Sequence, residues 1–186
     1  DPLTVTVTAD AQSKVYGSGD PALTYTHSPA LVGTDSFSGS LTRAPGENAG
    51  SYAITQGTLA LSSNYNIAYV SASLTINPKP LTITADDRAK TQGYSITFAG
   101  TEFAAVGLVN SDTVTSVTLT SAGADASAPN GDYPIVASAA VGTGLANYTI
   151  NYVNGTLTVS TYGLTISATH LYKTYGDTVT FAGTEF

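Results

Sequence analysis

The chain has 186 residues, 42% of them hydrophobic and only 10% charged, which suits a packed core in one large domain or two small ones of roughly 80 residues each. Thirteen acidic residues against six basic ones give a net charge of −7, which excludes the basic stripe of a nucleic-acid binder and disfavours anionic membranes. Cys is absent, so disulfides, thiolate metal sites and a Cys nucleophile are excluded, and no apolar run is long enough for membrane insertion.

Val5, Val7 and Ala9 alternate with Thr4, Thr6 and Thr8, the two-residue period of a strand with one buried face. The Thr row resembles the flat arrays that order water on ice. A single row is read more simply as an exposed strand face, where β-branched side chains fit. Ser and Thr supply roughly a quarter of the chain, so hydroxyls carry the surface in place of Lys and Glu. A short helical turn is expected near Leu31–Phe37 and again near Leu108–Val114. Gly50–Ile54 reads as strand; Tyr65, Ile67 and Tyr69 then fall on one strand face, as do Tyr148, Ile150 and Tyr152. Between Ile76 and Leu81 lies only Asn77-Pro78-Lys79-Pro80, whose prolines fix φ and predict a semi-rigid spacer. Asn154-Gly155 has the form of a hairpin turn, but its counterpart Ser71-Ala72 tolerates positive φ poorly. A long last strand with a glycine bulge fits both copies better.

These blocks recur. Leu164–Phe186 lies on Leu81–Phe103 without a gap at an offset of 83 (164 − 81), and 14 of the 23 positions are identical, including Phe-Ala-Gly-Thr-Glu-Phe at 98–103 and 181–186. Lys14-Val15-Tyr16-Gly17 aligns with Lys90-Thr91-Gln92-Gly93, and Asn64-Tyr65-Asn66-Ile67 with Asn147-Tyr148-Thr149-Ile150. Length differences fall between the blocks, where loops belong. The organisation read from this is a module at 1–78, a second at 79–161, and the start of a third at 162–186.

Lys14-Val15-Tyr16-Gly17, Asp20-Pro21-Ala22-Leu23-Thr24-Tyr25, Gly33–Gly39, Gly50–Leu59 and Asn64–Ile67 together resemble the YGX-type MBG modules of large bacterial surface and secreted adhesins. The second copy departs from the pattern, with Gln92 in place of the tyrosine and no Asp-Pro-Ala stretch; the third keeps Lys173-Thr174-Tyr175-Gly176. The resemblance implies small strand-dominated modules, mainly β, with a β-grasp-like arrangement or, alternatively, an immunoglobulin-like β-sandwich, strung as an extended rod. It brings no catalytic residues, and no catalytic, metal or cofactor-binding residue is assigned.

Side chains with chemical potential have plainer readings. His27, before Ser28-Pro29, and His170 are the only candidate neutral-pH bases, and both read as exposed histidines without a converging nucleophile. Asp86-Asp87 and the pair Asp10 and Asp20 could contribute to a Ca²⁺ site of about six to eight oxygens, but no Asp-x-Asp-x-Asp-Gly loop occurs and turn aspartates are the simpler reading. Asp35 and Asp112 share a repeat position and read as caps of a turn or short helix. Tyr16, Tyr52, Tyr65, Tyr133 and Tyr148 could stack sugars; their fixed place in the repeat argues instead for core packing with the hydroxyl at the rim. Asn147-Tyr148-Thr149 and Asn154-Gly155-Thr156 match a glycosylation sequon too common to carry weight.

The chain opens at Asp1 and not Met, so a longer or processed parent is expected. The opening strands of a third module need cover, because two strands rarely hold together alone. Packing back on the second module, continuation of an array, or strand addition by a copy of the chain would each supply it. The function expected is structural or adhesive: a stalk or filament segment of an extracellular or cell-surface bacterial protein. Its partners would be its own copies or neighbouring repeats through open strand edges, and possible host or matrix glycans. The alternative is a carbohydrate- or protein-binding module using loops 41–50 or 121–131, which differ between copies.

Overall fold

A computed structural model describes residues 1–186. The first module holds β1 (Leu3–Ala9), β2 (Gln12–Val15), β3 (Tyr25–Ser28), β4 (Thr42–Arg43), β5 (Gly50–Thr55), β6 (Tyr65–Val70) and β7 (Ala72–Asn77). The second holds β8 (Lys79–Ala85), β9 (Arg88–Thr91), β10 (Phe103–Val106), β11 (Thr113–Thr120), β12 (Gly131–Thr143), β13 (Tyr148–Val153) and β14 (Gly155–Ser160). Each module pairs a three-stranded sheet, β3-β1-β6 or β10-β8-β13, with a four-stranded one, β2-β7-β5-β4 or β9-β14-β12-β11. The two sheets of a module share one core. In the first module Val5, Val7 and Ala9 of one sheet meet Ile54 and Leu74 of the other. In the second, Leu81, Ile83 and Ala85 meet Val117, Ile135, Leu157 and Val159. Each fully buried aliphatic side chain there contributes about 1.5–3 kcal/mol.

The alternation read at residues 4–9 is realised: Val5, Val7 and Ala9 are buried and the intervening threonines exposed. Of the two arrangements implied, the two-layer sandwich is the one present; no helix packs on either sheet, and the only helical piece is a 3-10 turn at Leu145–Asn147. The helical turns expected at 31–37 and 108–114 are β-turns closed by Asp35 N–H to Val32 O and Asp112 N–H to Val109 O. One turn is too short to offset the cost of nucleating a helix.

The most consequential departure is how strands change sheet. β1 pairs parallel with β6 and β2 pairs parallel with β7, so two long strands run side by side through both layers. They cross between layers at Asp10-Ala11 and at Ser71; in the second module the β13–β14 crossing is at Asn154. Asn154-Gly155 is therefore neither a hairpin nor a bulge. Gly155 does not need positive φ; it needs space, since a Cβ there would lie 2.5 Å from the Ala85 carbonyl oxygen. Between modules, β7 ends at Asn77 and β8 begins at Lys79, leaving Pro78 alone outside a strand. The spacer is shorter than the sequence suggests because Lys79 and Pro80 enter register with Tyr148 and Thr149.

Residues after Ser160 form no strand, contrary to the expected opening strands of a third module. Leu164 and Ile166 are 83% and 65% exposed, whereas their equivalents Leu81 and Ile83 are fully buried. β8 draws its hydrogen bonds from β10 and β13, and no segment takes the β13 role for 164–169. What does persist is a few single contacts, among them the Thr169 N–H to Glu185 O bond at 3.0 Å, which repeats Asp86 N–H to Glu102 O at 3.1 Å. Glu102 gathers the N–H groups of Ala99, Gly100 and Thr101 at 2.9–3.0 Å, and Glu185 repeats this on Ala182 and Thr184 at 2.6 and 2.9 Å. These backbone donors, Ala99 N–H and Ala182 N–H foremost, lower the carboxyl pKa in each copy.

Candidate functional site at the module joint

The polar residues that converge most closely lie between the modules. β2 ends where Tyr16 N–H donates to Asn77 O at 2.9 Å, so Tyr16 leaves the first module beside the strand that leads into the second. A turn follows, with Ser18 N–H on Val15 O at 3.0 Å and Gly17 at φ +80°. Tyr16 is only 5% exposed and belongs to the core of the second module, not its own. Its ring meets Tyr148 edge-on at 5.5 Å and 78°. Its hydroxyl donates to Asp112 Oδ2 at 2.9 Å, and the Tyr148 hydroxyl donates to the same oxygen at 2.8 Å while accepting Val109 N–H at 2.9 Å. Burial of the Tyr148 phenol, with Asp112 beside it, raises its pKa.

Gly17 sits against this socket. A Cβ on it would fall 2.6 Å from Val109 Cγ2, so the position requires glycine for both contact and conformation. A second contact flanks the first: buried Asn147 accepts Ala49 N–H at 2.8 Å and donates to Asn48 Oδ1 at 3.2 Å. Both partners lie in the loop joining β4 to β5.

A four-charge clasp holds the two docking loops of the first module together. Lys14 Nζ, with a side chain 4% exposed, reaches Asp20 at 2.7 Å and Glu47 at 2.6 Å. Arg43 Nε reaches Asp20 at 2.6 Å, its Nη2 contacts Glu47, and its guanidinium lies 5.4 Å from the Tyr52 ring centroid. Tyr52 in turn donates to Asn48 O at 2.8 Å. Hydrogen bonds from Arg43 and Lys14 lower the Asp20 pKa to about 2, and those from Lys14 and Arg43 lower that of Glu47. Lys14 is raised by Asp20 and Glu47. All four groups are charged at neutral pH. Lys90, the equivalent of Lys14, instead donates to the carbonyls of Tyr94 and Asp125.

Several readings of the sequence meet their outcome here. Tyr16, Tyr65 and Tyr148 are buried with hydroxyls bonded at the module edge; Tyr52 and Tyr133 are half-buried, donating to Asn48 O and Pro129 O. Asp35 and Asp112 are not caps. They accept the hydroxyls of Tyr65 and Tyr148, because a buried phenol requires an acceptor. Asp10 and Asp20 are not a pair: Asp10 accepts the Thr24 hydroxyl at 2.7 Å while Asp20 serves the clasp. Asp87 accepts Thr156 N–H at 2.7 Å. His27 lies exposed in β3 with its ring 5.1 Å from Phe37, and His170 lies exposed in the C-terminal segment. No three His, Asp or Glu side chains converge as a metal set. Loop 41–50, named as a ligand loop, is occupied at Asn48 and Ala49 by the second module. The roles of Lys14, Arg43, Glu47 and Asn147 were not anticipated. The recurrence of Asn64-Tyr65 as Asn147-Tyr148, polar beside buried, was the available signal.

Tandem two-layer β modules, joined through a Tyr-Gly turn, define the class of protein. The profile of the MBG domain (YGX type) matches residues 5–75 and 81–158, and the chain belongs to that family. No curated protein matches the chain.

Proposed function

We propose that the chain is a structural or adhesive tandem-repeat segment of an extracellular or cell-surface bacterial protein, acting as a stalk or filament building block. The observation that carries this reading is the joint: Tyr16 is buried in the neighbouring module, not its own. A polypeptide whose modules only needed to be tethered would not spend a buried aromatic and a shared carboxylate on their relative placement. With one residue between β7 and β8, and a second contact at Asn147, bending at the junction breaks specific bonds. Repetition of such units adds length without new interfaces. The hydroxyl-rich, acidic surface suits a part that should resist nonspecific association.

Small-angle scattering tests this. A spacer gives the maximum dimension of two modules end to end, independent of salt; a single compact particle would contradict it. The alternative of a binding module rests on loop 121–131, whose hydrogen bonds all stay within the second module. A glycan array separates the readings, since a pure spacer yields no specific hit, whereas a hit lost on replacing 121–131 assigns binding to that loop.

A further inference from the structure

The socket that receives Tyr16 exists twice. At the other end of the first module, Val32 N–H donates to the Tyr65 hydroxyl at 2.9 Å, that hydroxyl donates to Asp35 Oδ2 at 2.7 Å, and Asp35 N–H closes the turn on Val32 O at 3.2 Å. The corresponding bonds of the filled socket, through Val109, Tyr148 and Asp112, are 2.9, 2.8 and 3.0 Å. Only the cover differs. Val32 is 65% exposed and Asp35 and Asn64 are exposed, whereas Val109 and Asp112 are half-buried and Asn147 is buried. Asp112 accepts two tyrosine hydroxyls; Asp35 accepts one.

The plug is also duplicated. Tyr175-Gly176 repeats Tyr16-Gly17, with Gly176 at φ +94° against +80° and Asp177 N–H on Thr174 O at 3.1 Å against 3.0 Å for the turn at Gly17. Tyr175 is fully exposed. The second module has Gln92 at this place and no plug. In the first module the Tyr16-Gly17 plug and the Tyr65 socket lie at opposite ends. Leu3 pairs with Tyr65 where β1 and β6 begin, and Val15 pairs with Asn77 where β2 and β7 end.

We propose that the Tyr175-Gly176 turn of one copy seats in the Val32, Asp35 and Tyr65 socket of a second copy, joining chains head to tail by the contact that already joins the modules. Such a heterologous contact leaves a plug and a socket free at the two ends and extends. This rests on the series arrangement proposed above and differs from strand-edge pairing. The contact has no counterpart of the Asn48–Asn147 bonds and no tether, so it is weaker than the internal joint.

Analytical ultracentrifugation over a concentration series, with amide shifts read in parallel, tests the proposal on the full chain. Mass is expected to rise with concentration while the Val32, Asp35, Asn64 and Tyr65 amides move. Tyr175→Ala and Val32→Asp, both changes at exposed side chains, should each leave a monomer with unchanged amide dispersion. Mixed together, the two variants should form a dimer and nothing larger, because each retains the half the other lacks. A wild-type chain that stays monomeric with still amides overturns the proposal. So does association that survives both variants, which would assign it to the apolar tail or to sheet edges. Neither variant touches the Tyr16 joint, so failure here leaves the stalk reading to its own test.

Discussion

At the scale of single residues, the joint depends on a phenol, a carboxylate and a glycine. Tyr16→Phe keeps the ring on Tyr148 but removes the bond to Asp112, a hydrogen bond to a charged group worth about 1.5–3 kcal/mol. That loss should appear as lowered stability of the second module in denaturant unfolding, because Tyr16 belongs to its core. Gly17→Ala combines positive φ with the Val109 clash and should cost about 1–3 kcal/mol. Gly19→Ala is the control: no atom lies within 4 Å of its added Cβ, and unfolding should shift by no more than about 0.5 kcal/mol. If the two glycine variants unfold alike, the close approach at Gly17 carries no energy. Glycine and tyrosine in the Tyr-Gly pair thus act on one neighbour, the turn at Val109–Asp112.

Among elements, the clasp between the β2–β3 and β4–β5 loops should give the joint its acid sensitivity. Asp20 has its folded pKa lowered to about 2 from an ordinary 3.8, so its contribution is complete above the ordinary value and disappears as pH falls towards 2. Glu47 is shifted in the same direction. Stability measured from pH 5 downward should therefore fall over that window, and Asp20→Asn should flatten the fall; an unchanged slope in the variant would remove the clasp from the account. Core substitutions separate the modules: Leu74→Ala should cost about 2–5 kcal/mol in the first and Leu157→Ala a similar amount in the second, each read by amide exchange in its own sheets. Period-two alternation at 4–9 and 65–69 revealed which faces are buried, and the offset of 83 revealed the modules, because both are properties of neighbouring residues. The sheet crossings at Ser71 and Asn154 leave only a change of phase, the inward positions passing from 65, 67 and 69 to 74 and 76 and from 148, 150 and 152 to 155, 157 and 159, which a bulge within one sheet would also produce. Asp112 and Asn147 were hidden for another reason: their partners Tyr16, Asn48 and Ala49 lie about a hundred residues away, in a different module. The C-terminal segment shows the converse. Its sequence is that of buried strands, yet without the full set of pairing partners it keeps only the turns at Tyr175-Gly176 and at Glu185, the Lys173 bond to Asp177 O and the single Thr169 N–H to Glu185 O bond in their repeated form.

Across the whole molecule, the two cores are distinct, and Tyr16 and Ile76 carry the first module into the second. A fixed relative orientation follows from one covalent link at Pro78 and two separated noncovalent contacts, at Asp112 and at Asn147, which together oppose both bending and twisting. Residual dipolar couplings of the full chain measure that orientation directly. The two modules should share one alignment tensor in the wild-type chain and acquire different ones in Tyr16→Ala, while each module keeps its own internal couplings. Two different tensors in the wild-type chain would contradict a fixed joint and, with it, the reading of this protein as a stiff serial unit.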